Sequence, residues 1–337
     1  MRIREPVAIA AAEVWLPTGI SVAAEAVEAG RLRARQAADL GHESVPAAEE
    51  APPDLAVAAA LAAAKEANAD PATFAVVAHA WMYYQGHDLW SPAHYVARKT
   101  GAVDALPVGV QQVCNGGAAA IELTVARLLA DSPGRLGLVT TGDRFAGPGF
   151  DRWAADYGVA YGDAGTAVLL RTQPDPADRL LLRSIATVAA PELEEMHRGT
   201  DPFAPAARAH VDMRATKRAY LREHGSENFA RTNENRIRAV TEAALRDAGF
   251  GPYEKNLRYA VLPRFGAKTL AESWLPVLHA SVGAEPLDLG RTTGHLGAGD
   301  AAAGLAEVRE LLAPGELALV FSAGAGFTWS CLVVQAV

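Results

Sequence analysis

Two copies of one sequence pattern lie about 180 residues apart, roughly half the chain length of 337 residues. In the first copy, Gly117 opens a helix of small residues, which a short loop joins to an apolar segment ending at Gly142. In the second, Asp300 opens a similar helix, and the apolar segment ends at Gly324. Each copy predicts a turn, a tightly packed helix and a buried strand. We therefore expect a duplicated α/β protein whose halves span residues 1–171 and 180–337.

The remaining patterns also alternate between strands and helices. Buried strands are predicted at residues 7–10, 74–80, 108–113, 136–141 and 167–170, and helices at residues 54–67, 118–129 and 236–248. Residues 192–228 are polar and irregular before they become helical, as expected of an excursion that covers a pocket. This alternation favours a layered α/β fold.

Composition excludes several classes of protein. The formal net charge is −8, and without a cluster of Lys or Arg it argues against a nucleic-acid partner. The two cysteines are too few for a disulfide framework or a cysteine zinc site. The N-terminal residues lack a signal-type apolar run, and residues 55–64 and 118–130 are too short or too interrupted to span a bilayer. We expect a soluble cytoplasmic protein with no membrane partner.

Cys114 is the first candidate for chemistry. It lies between a predicted buried strand and a predicted helix, where the helix dipole and the free N–H groups of the first turn favour the thiolate. The two glycines that follow allow another backbone or a ligand to come close. We interpret Cys114 as a nucleophile, and Cys331, within a terminal strand, as an inert buried thiol.

His295 and Asp300 lie at the matching turn of the second half. If a pseudo-dyad relates the halves, the two turns meet and bring His295 towards Cys114, with Asp300 behind the imidazole. Such an arrangement activates a thiol and moves the proton of an acceptor. The alternatives are an N-cap role for Asp300 and a surface-loop position for His295. No metal site is expected, because His87 and His94 lack a nearby carboxylate pair.

Further along the chain, the turn at Gly324-Ala325-Gly326 is either an oxyanion site or only a hairpin turn. Together with the other motifs, it resembles the ketoacyl synthase III family of the thiolase fold. The resemblance covers nearly the whole chain and rests on five segments: Asp54-Leu55-Ala56 with its helix, Val113-Cys114-Asn115-Gly116, Thr141-Gly142-Asp143, residues 161–167 and residues 324–329.

The resemblance implies a layered α-β-α-β-α sandwich and a homodimer. It implies that Cys114 carries the acyl group as a thioester, and that the backbone N–H groups of Cys114 and Ala325 form the oxyanion hole. It also implies that Arg152 holds the nucleotide end of coenzyme A. No cofactor is permanently bound, since acyl-coenzyme A or an acyl carrier protein is the donor substrate.

Two departures from the family pattern bear on the reaction. Arg264 stands where the family has its catalytic histidine, and His295 stands where it has an asparagine. In the family this His–Asn pair promotes decarboxylation of a malonyl thioester. With these two changes the sequence is similar to ketoacyl-synthase-III-like acyltransferases of natural-product pathways, of the cervimycin malonyltransferase type. Those enzymes use Cys, His and Asp to acylate a hydroxyl.

Three functions remain open on the sequence. The first is transfer of a short acyl group, such as malonyl, through acyl-Cys114 to a hydroxyl of a sugar or polyketide, without decarboxylation. The second is a priming ketosynthase that condenses an acyl starter with malonyl carrier protein. The third is a non-catalytic partner subunit, which predicts that Cys114→Ala leaves function intact. Residues 81–90 contain an aromatic cluster, which either lines an acceptor pocket, forms a dimer contact or belongs to the core. Three arginines between 236 and 246 face either an acidic carrier protein or solvent.

Overall fold

The computed structural model describes residues 1–130 and 134–337. Its strands are β1 (Arg2–Trp15), β2 (Ile20–Val22), β3 (Ser44–Pro46), β4 (Phe74–Ala80), β5 (Leu106–Val110), β6 (Leu136–Asp143), β7 (Ala164–Arg171), β8 (Leu180–Ala189), β9 (Leu257–Val261), β10 (Glu285–Leu287), β11 (Leu317–Gly324) and β12 (Thr328–Ala336).

Helices connect these strands. They are α1 (Ala23–Glu28), α2 (Ala34–Leu40), α3 (Pro52–Glu66), α4 (Pro92–Thr100), α5 (Gly116–Leu129), α6 (Glu195–Arg198), α7 (Met213–His224), α8 (Glu227–Ala248), α9 (Ala267–Thr269), α10 (Leu275–Ser281) and α11 (Asp300–Val308). A π-helical turn, Leu270–Trp274, joins α9 to α10, and a short 3₁₀ turn, Gly297–Gly299, precedes α11.

The two halves of the chain have the same strand order. Ten strands form one sheet in the order β10-β9-β11-β12-β8-β1-β7-β6-β4-β5, while β2 and β3 pair separately. Counted within each half, both runs read third, second, fourth, fifth and first strand from the outer edge to the centre. In both halves the fifth strand is antiparallel to its neighbours, and β1 and β8 pair antiparallel to join the halves.

The helices complete five layers. The small-residue helices α5 and α11 share one core with strands from both halves, so they form the central layer. Helices α3 and α4 cover the outer face of the N-terminal strands. Helices α8 and α10 cover the outer face of the C-terminal strands. The predicted α-β-α-β-α sandwich of the thiolase fold is thereby confirmed.

Several predicted boundaries differ from the structure; β1, for example, spans Arg2–Trp15 rather than residues 7–10. Strand β5 ends at Val110 rather than at residue 113, because residues 111–113 bend towards α5. Helix α8 begins at Glu227 rather than at residue 236, since its polar first turns continue an amphipathic face. The short loop predicted after α5 falls on residues 131–133, outside the described residues. Within residues 1–130 and 134–337, no helix is both long and apolar enough to cross a membrane.

Candidate active site

Cys114 lies in a sharp bend between β5 and α5. The residue before it, Val113, has φ of +49°, a left-handed conformation that a β-branched residue rarely adopts. Backbone strain of this kind persists only where the surrounding structure holds it, and it is concentrated at functional sites. The bend leaves Cys114 at the base of a cavity and only 8% exposed.

His295 and Asp300 form a buried pair at the equivalent bend before α11. His295 Nδ1 and Asp300 Oδ2 are 2.7 Å apart. The same carboxylate accepts hydrogen bonds from the backbone N–H groups of Leu296, at 2.9 Å, and Arg264, at 3.1 Å. The alternative N-cap interpretation of Asp300 is wrong, because Gly299 is the N-cap and Asp300 is the first helical residue. His295 is 1% exposed and does not occupy a surface loop.

The two bends pack against each other at the centre of the molecule. A methyl group on Gly117 would lie 2.3 Å from the carbonyl oxygen of Ala298, so only glycine permits this approach. Cys114 and His295 consequently line the same cavity. Within the described residues, the buried Nε2 of His295 has no hydrogen-bond partner, which leaves it available to Cys114 or to a substrate.

The electrostatics of this pair favour the charged forms. Burial alone would lower the pKa of His295, but the charges of Asp300 and Cys114 outweigh burial and raise that pKa well above its ordinary value. Burial would raise the pKa of Asp300, but the charge of His295 and the hydrogen bonds to the carboxylate lower it. The pair is therefore suited to hold an imidazolium beside Cys114.

Ala325 reaches the same cavity from the end of β11. A methyl group on Gly324 would lie 2.6 Å from the backbone nitrogen of Asn115, so glycine at this position brings the turn after β11 against the Cys114 bend. Cys114, Gly324 and Ala325 all line the cavity. This arrangement suits an oxyanion hole built from the N–H groups of Cys114 and Ala325, which remains a prediction.

The cavity has a volume of about 310 Å³ and a mostly apolar lining. Aromatic side chains from both halves dominate its wall: Tyr157, Tyr161, Phe229, Phe265, Trp274, Phe327 and Trp329. The rings of Tyr161 and Phe265 lie 5.4 Å and 5.8 Å from the ring of His295. The predicted excursion at residues 192–228 does cover this cavity, because α6 and α7 supply part of its lining.

Comparison with solved structures identifies the architecture. The chain is similar to ChlB3, described as an acyltransferase, with a TM-score of 0.88, 30% sequence identity and coverage of 98% of each chain. The chain belongs to the ketoacyl synthase III-like family of the thiolase fold.

More distant members share the fold. AbyA1, a tetronic acid condensing enzyme, matches with a TM-score of 0.73 at 20% identity over 98% of this chain and 99% of its own. The 3-oxoacyl-[acyl-carrier-protein] synthase III of Aquifex aeolicus matches with a TM-score of 0.74 at 18% identity over the same shares. No family model and no curated protein sequence matches the chain.

The side chain of Arg264, which the resemblance places at the position of the family histidine, turns towards a neighbouring loop. Its guanidinium donates to the carbonyl of Leu289 at 2.9 Å, to Thr293 Oγ1 at 2.6 Å and to Glu307 Oε2 at 2.5 Å. None of these partners lines the cavity, and neither does Arg264. The side chain that replaces the family histidine therefore supports the neighbouring loop, while the imidazole is supplied by His295.

Arg152 does not line the Cys114 cavity. Its guanidinium forms an ion pair with Asp163, with Nη2 2.9 Å from Oδ2, and also donates to the carbonyls of Pro46 and Tyr161. These bonds give Arg152 a structural role. Its predicted contact with the nucleotide end of coenzyme A stays a prediction.

Other sequence candidates also lie elsewhere. Trp81, Tyr83, Tyr84 and Trp90 line a separate surface cavity of about 250 Å³ rather than the Cys114 cavity. Cys331 is fully buried in β12, and burial raises the pKa of its thiol, as expected of an inert cysteine. No cluster of three or more potential metal-ligating side chains occurs in residues 1–130 and 134–337.

The sequence patterns missed an ion pair in the cavity wall. Asp156 Oδ1 and Lys217 Nζ are 2.5 Å apart, and both residues line the cavity beside Cys114. They are 61 positions apart and belong to no motif, so only the predicted pocket-covering role of residues 192–228 pointed towards Lys217.

Proposed function

We propose that this protein is an acyltransferase that moves a short acyl group through acyl-Cys114 to a hydroxyl group, without decarboxylation. The donor is a thioester of coenzyme A or of an acyl carrier protein, and the acceptor is a hydroxyl of a natural product such as a sugar or a polyketide. The observation that carries the proposal is the buried His295–Asp300 pair, whose free Nε2 faces the cavity that Cys114 lines.

In the first half-reaction, the Cys114 thiolate attacks the carbonyl carbon of the donor thioester. The N–H groups of Cys114 and Ala325 receive the oxyanion. As the tetrahedral intermediate collapses, the carbon–sulfur bond to the donor breaks, and the departing thiol takes a proton from the His295 imidazolium. Cys114 is left acylated, and the imidazole is left neutral.

In the second half-reaction, the acceptor hydroxyl attacks the acyl-Cys114 carbonyl, and His295 Nε2 takes the hydroxyl proton. Acylation removes the Cys114 charge that helps to raise the pKa of His295, so that pKa falls and the imidazole can remain neutral until this step. Asp300 then stabilises the imidazolium, and Cys114 leaves as the thiolate.

The position of Arg264 supports transfer over condensation. Decarboxylation in the family uses a His–Asn pair that binds the malonyl thioester carbonyl, and here no imidazole follows β9. The Arg264 guanidinium is held by Leu289, Thr293 and Glu307, outside the cavity. An imidazole backed by a carboxylate is instead suited to deprotonate an alcohol.

The quaternary structure belongs to the proposal as well. We expect a homodimer, as the family resemblance implies. Strand β5 lies at one end of the ten-stranded sheet, where its outer edge has no neighbouring strand among the described residues. Such an edge is suited to pair with the same strand of a second copy.

The test is the intact mass of the protein after brief incubation with malonyl-, acetyl- or propionyl-coenzyme A. We expect a retained malonyl adduct on the wild type, and no adduct on Cys114→Ala. Cys331→Ala is the matched control, because it removes the other cysteine at a fully buried position outside the cavity, and it should load normally.

Two results would contradict the proposal. Release of carbon dioxide and a new carbon–carbon bond after addition of malonyl carrier protein would identify a priming ketosynthase. Full function of Cys114→Ala in the producing pathway would identify a non-catalytic partner subunit.

A further inference from the structure

The wall of the Cys114 cavity includes a polar corner. The corner is formed by Asp156, Tyr161, His197 and Lys217, whereas most of the remaining wall is aromatic or aliphatic. A few polar groups placed in an apolar cavity usually fix the orientation of a ligand. The corner is therefore a candidate for recognition of a polar end on the substrate.

Within the corner, Asp156 already has its hydrogen bonds. It is 3% exposed, and its carboxylate accepts from the backbone N–H of Tyr157 at 2.6 Å, from the hydroxyl of Tyr161 at 3.1 Å and from Lys217 at 2.5 Å. Burial would raise the pKa of Asp156, but the charges of Lys217 and of protonated His197 and the hydrogen bonds from Lys217 and the Tyr157 N–H keep it below its ordinary value. Asp156 is thus an anchor for Lys217 rather than a free ligand group.

Lys217 has N–H groups that no described acceptor occupies. Its ammonium carries three N–H groups, and Asp156 is its one hydrogen-bond partner in the part of the chain that the structure describes. The side chain is 17% exposed and lines the cavity, so the remaining donors are within reach of a ligand bound there. Donors without an acceptor at this depth favour a ligand that brings oxygen atoms.

The charges around Lys217 leave room for an anion. His197 faces Lys217 from α6, and burial, assisted by the charge of Lys217, lowers its pKa to about 4, so its imidazole is neutral at neutral pH. On α7, Arg214 and Arg218 add positive charge next to Tyr157, the first on backbone carbonyls and the second on the tyrosine hydroxyl. The opposing carboxylates are Asp156, Asp212 at the N-cap of α7, and Glu272, which lines the cavity but is mostly exposed.

We propose that Lys217, anchored by Asp156, binds a carboxylate at the far end of the acyl group. The inference rests on the proposed acyl transfer through Cys114 and narrows its substrate to the thioesters of dicarboxylic acids. Malonyl is a short member of this class. The apolar wall holds the carbon chain of the acyl group, and the corner holds its free carboxylate.

The corner lies at a suitable place relative to the nucleophile. The ring of Tyr161 packs beside His295, and its hydroxyl bonds to Asp156, so two hydrogen bonds lead from this tyrosine to Lys217. Cys114, Tyr161 and Lys217 also line the same cavity. An acyl chain that starts on Cys114 therefore shares this cavity with the lysine.

The experiment compares isosteric acyl-coenzyme A thioesters as donors. For a five-carbon chain the set is glutaryl, 5-oxohexanoyl and 5-methylhexanoyl, which end in a carboxylate, a methyl ketone and a branched alkyl group of similar shape. Succinyl, 4-oxopentanoyl and 4-methylpentanoyl form the four-carbon set. The rate of loading onto Cys114 is followed by intact mass for the wild type, Lys217→Met and Lys217→Arg.

In the wild type, we expect the carboxylate thioester of at least one length to load about tenfold or more faster than its ketone and alkyl isosteres, as one charged hydrogen bond provides. In Lys217→Met the preference should disappear, and Lys217→Arg should retain it. Arg222→Met, on the exposed face of the same helix and outside the cavity, is the matched control and should keep the preference.

The outcomes separate the two proposals. Loading of Cys114 with an equal or reversed preference in the wild type, or with the same preference in Lys217→Met, would overturn the role of Lys217 alone. No loading of Cys114 by any thioester of coenzyme A or of a carrier protein would overturn the acyl-transfer function itself. If Lys217→Met unfolds because Asp156 is left unpaired, the double variant Asp156→Asn/Lys217→Met removes both charges and tests the same loss of preference.

Discussion

Arg264 offers the sharpest test of how the rearranged site is supported. Its side chain is 2% exposed and donates to three acceptors: the carbonyl of Leu289, the hydroxyl of Thr293 and the carboxylate of Glu307. Methionine at this position keeps an unbranched apolar stem but removes every side-chain donor. Arg264→Met therefore removes the guanidinium while most of the aliphatic packing is retained.

The expected loss of stability follows from the partners left behind. The carbonyl of Leu289 and the hydroxyl of Thr293 lose a donor, and the half-buried carboxylate of Glu307 loses its cation. Breaking a buried charged network by removing one partner costs about 3–5 kcal/mol in free energy of unfolding. Burial already raises the pKa of Glu307, and the charge of Arg264 opposes that rise, so its loss raises the pKa further and protonation limits the cost.

The assay is equilibrium unfolding in urea for Arg264→Met, Glu307→Gln and the double variant. In this double-mutant cycle we expect the two single changes to couple by about 1–3 kcal/mol, because the residues share one ion pair. Arg258→Met is the matched control, since Arg258 pairs with Glu316 at 3.1 Å on the surface and is 53% exposed. That pair should contribute less than about 1 kcal/mol.

A cost for Arg264→Met no greater than that for Arg258→Met would refute this reasoning. Additive effects of Arg264→Met and Glu307→Gln would also refute it, since they would show that the ion pair carries no energy of its own.

Three further predictions concern residues around the Cys114 cavity. Asp300→Asn should lower turnover by roughly 10³- to 10⁴-fold in a steady-state transfer assay, because the imidazolium of His295 loses its carboxylate; a loss below tenfold would contradict this role. The folded-state pKa of His295 lies above its ordinary value of 6.5, so its stabilising contribution is complete below about pH 6.5 and is lost as the pH rises through the raised value. The difference in melting temperature between wild type and His295→Gln should consequently narrow from pH 6 to pH 10. A difference that widens instead would show that folding lowers the pKa of His295. Gly324→Ala should reduce Cys114 loading and lower the melting temperature, because its methyl group would lie 2.6 Å from the backbone nitrogen of Asn115; unchanged loading and melting would show that the turn relaxes freely.

Local patterns carried much of the fold. The repeated turn, small-residue helix and buried strand predicted two related halves, and α5 with β6 and α11 with β11 occupy equivalent places in the two halves of the sheet. The glycine-framed bends also predicted that Cys114 and His295 face one site. These features are visible in sequence because the residues that form each bend are neighbours in the chain.

Contacts that depend on long-range packing were not accessible in the same way. Asp156 and Lys217 meet because α7 folds over the cavity, and no spacing rule links a loop aspartate to a lysine 61 residues later. The sequence likewise did not predict where the guanidinium groups of Arg152 and Arg264 point. Each arginine turns towards buried carbonyls and a carboxylate, Asp163 for the first and Glu307 for the second, and sequence alone did not specify those partners.

The bend after β9 contributes to the site through its backbone. The backbone N–H of Arg264 donates to Asp300 Oδ2, the same oxygen that binds His295 Nδ1. The guanidinium meanwhile fixes the loop from Leu289 to Thr293, which leads directly into the bend that carries His295. His295 and Arg264 are therefore linked through the carboxylate of Asp300 and through the loop from Leu289 to Thr293. A second substitution, Arg264→His, would place an imidazole after β9 but remove the guanidinium that holds this loop, so we expect it to weaken acyl transfer without restoring condensation.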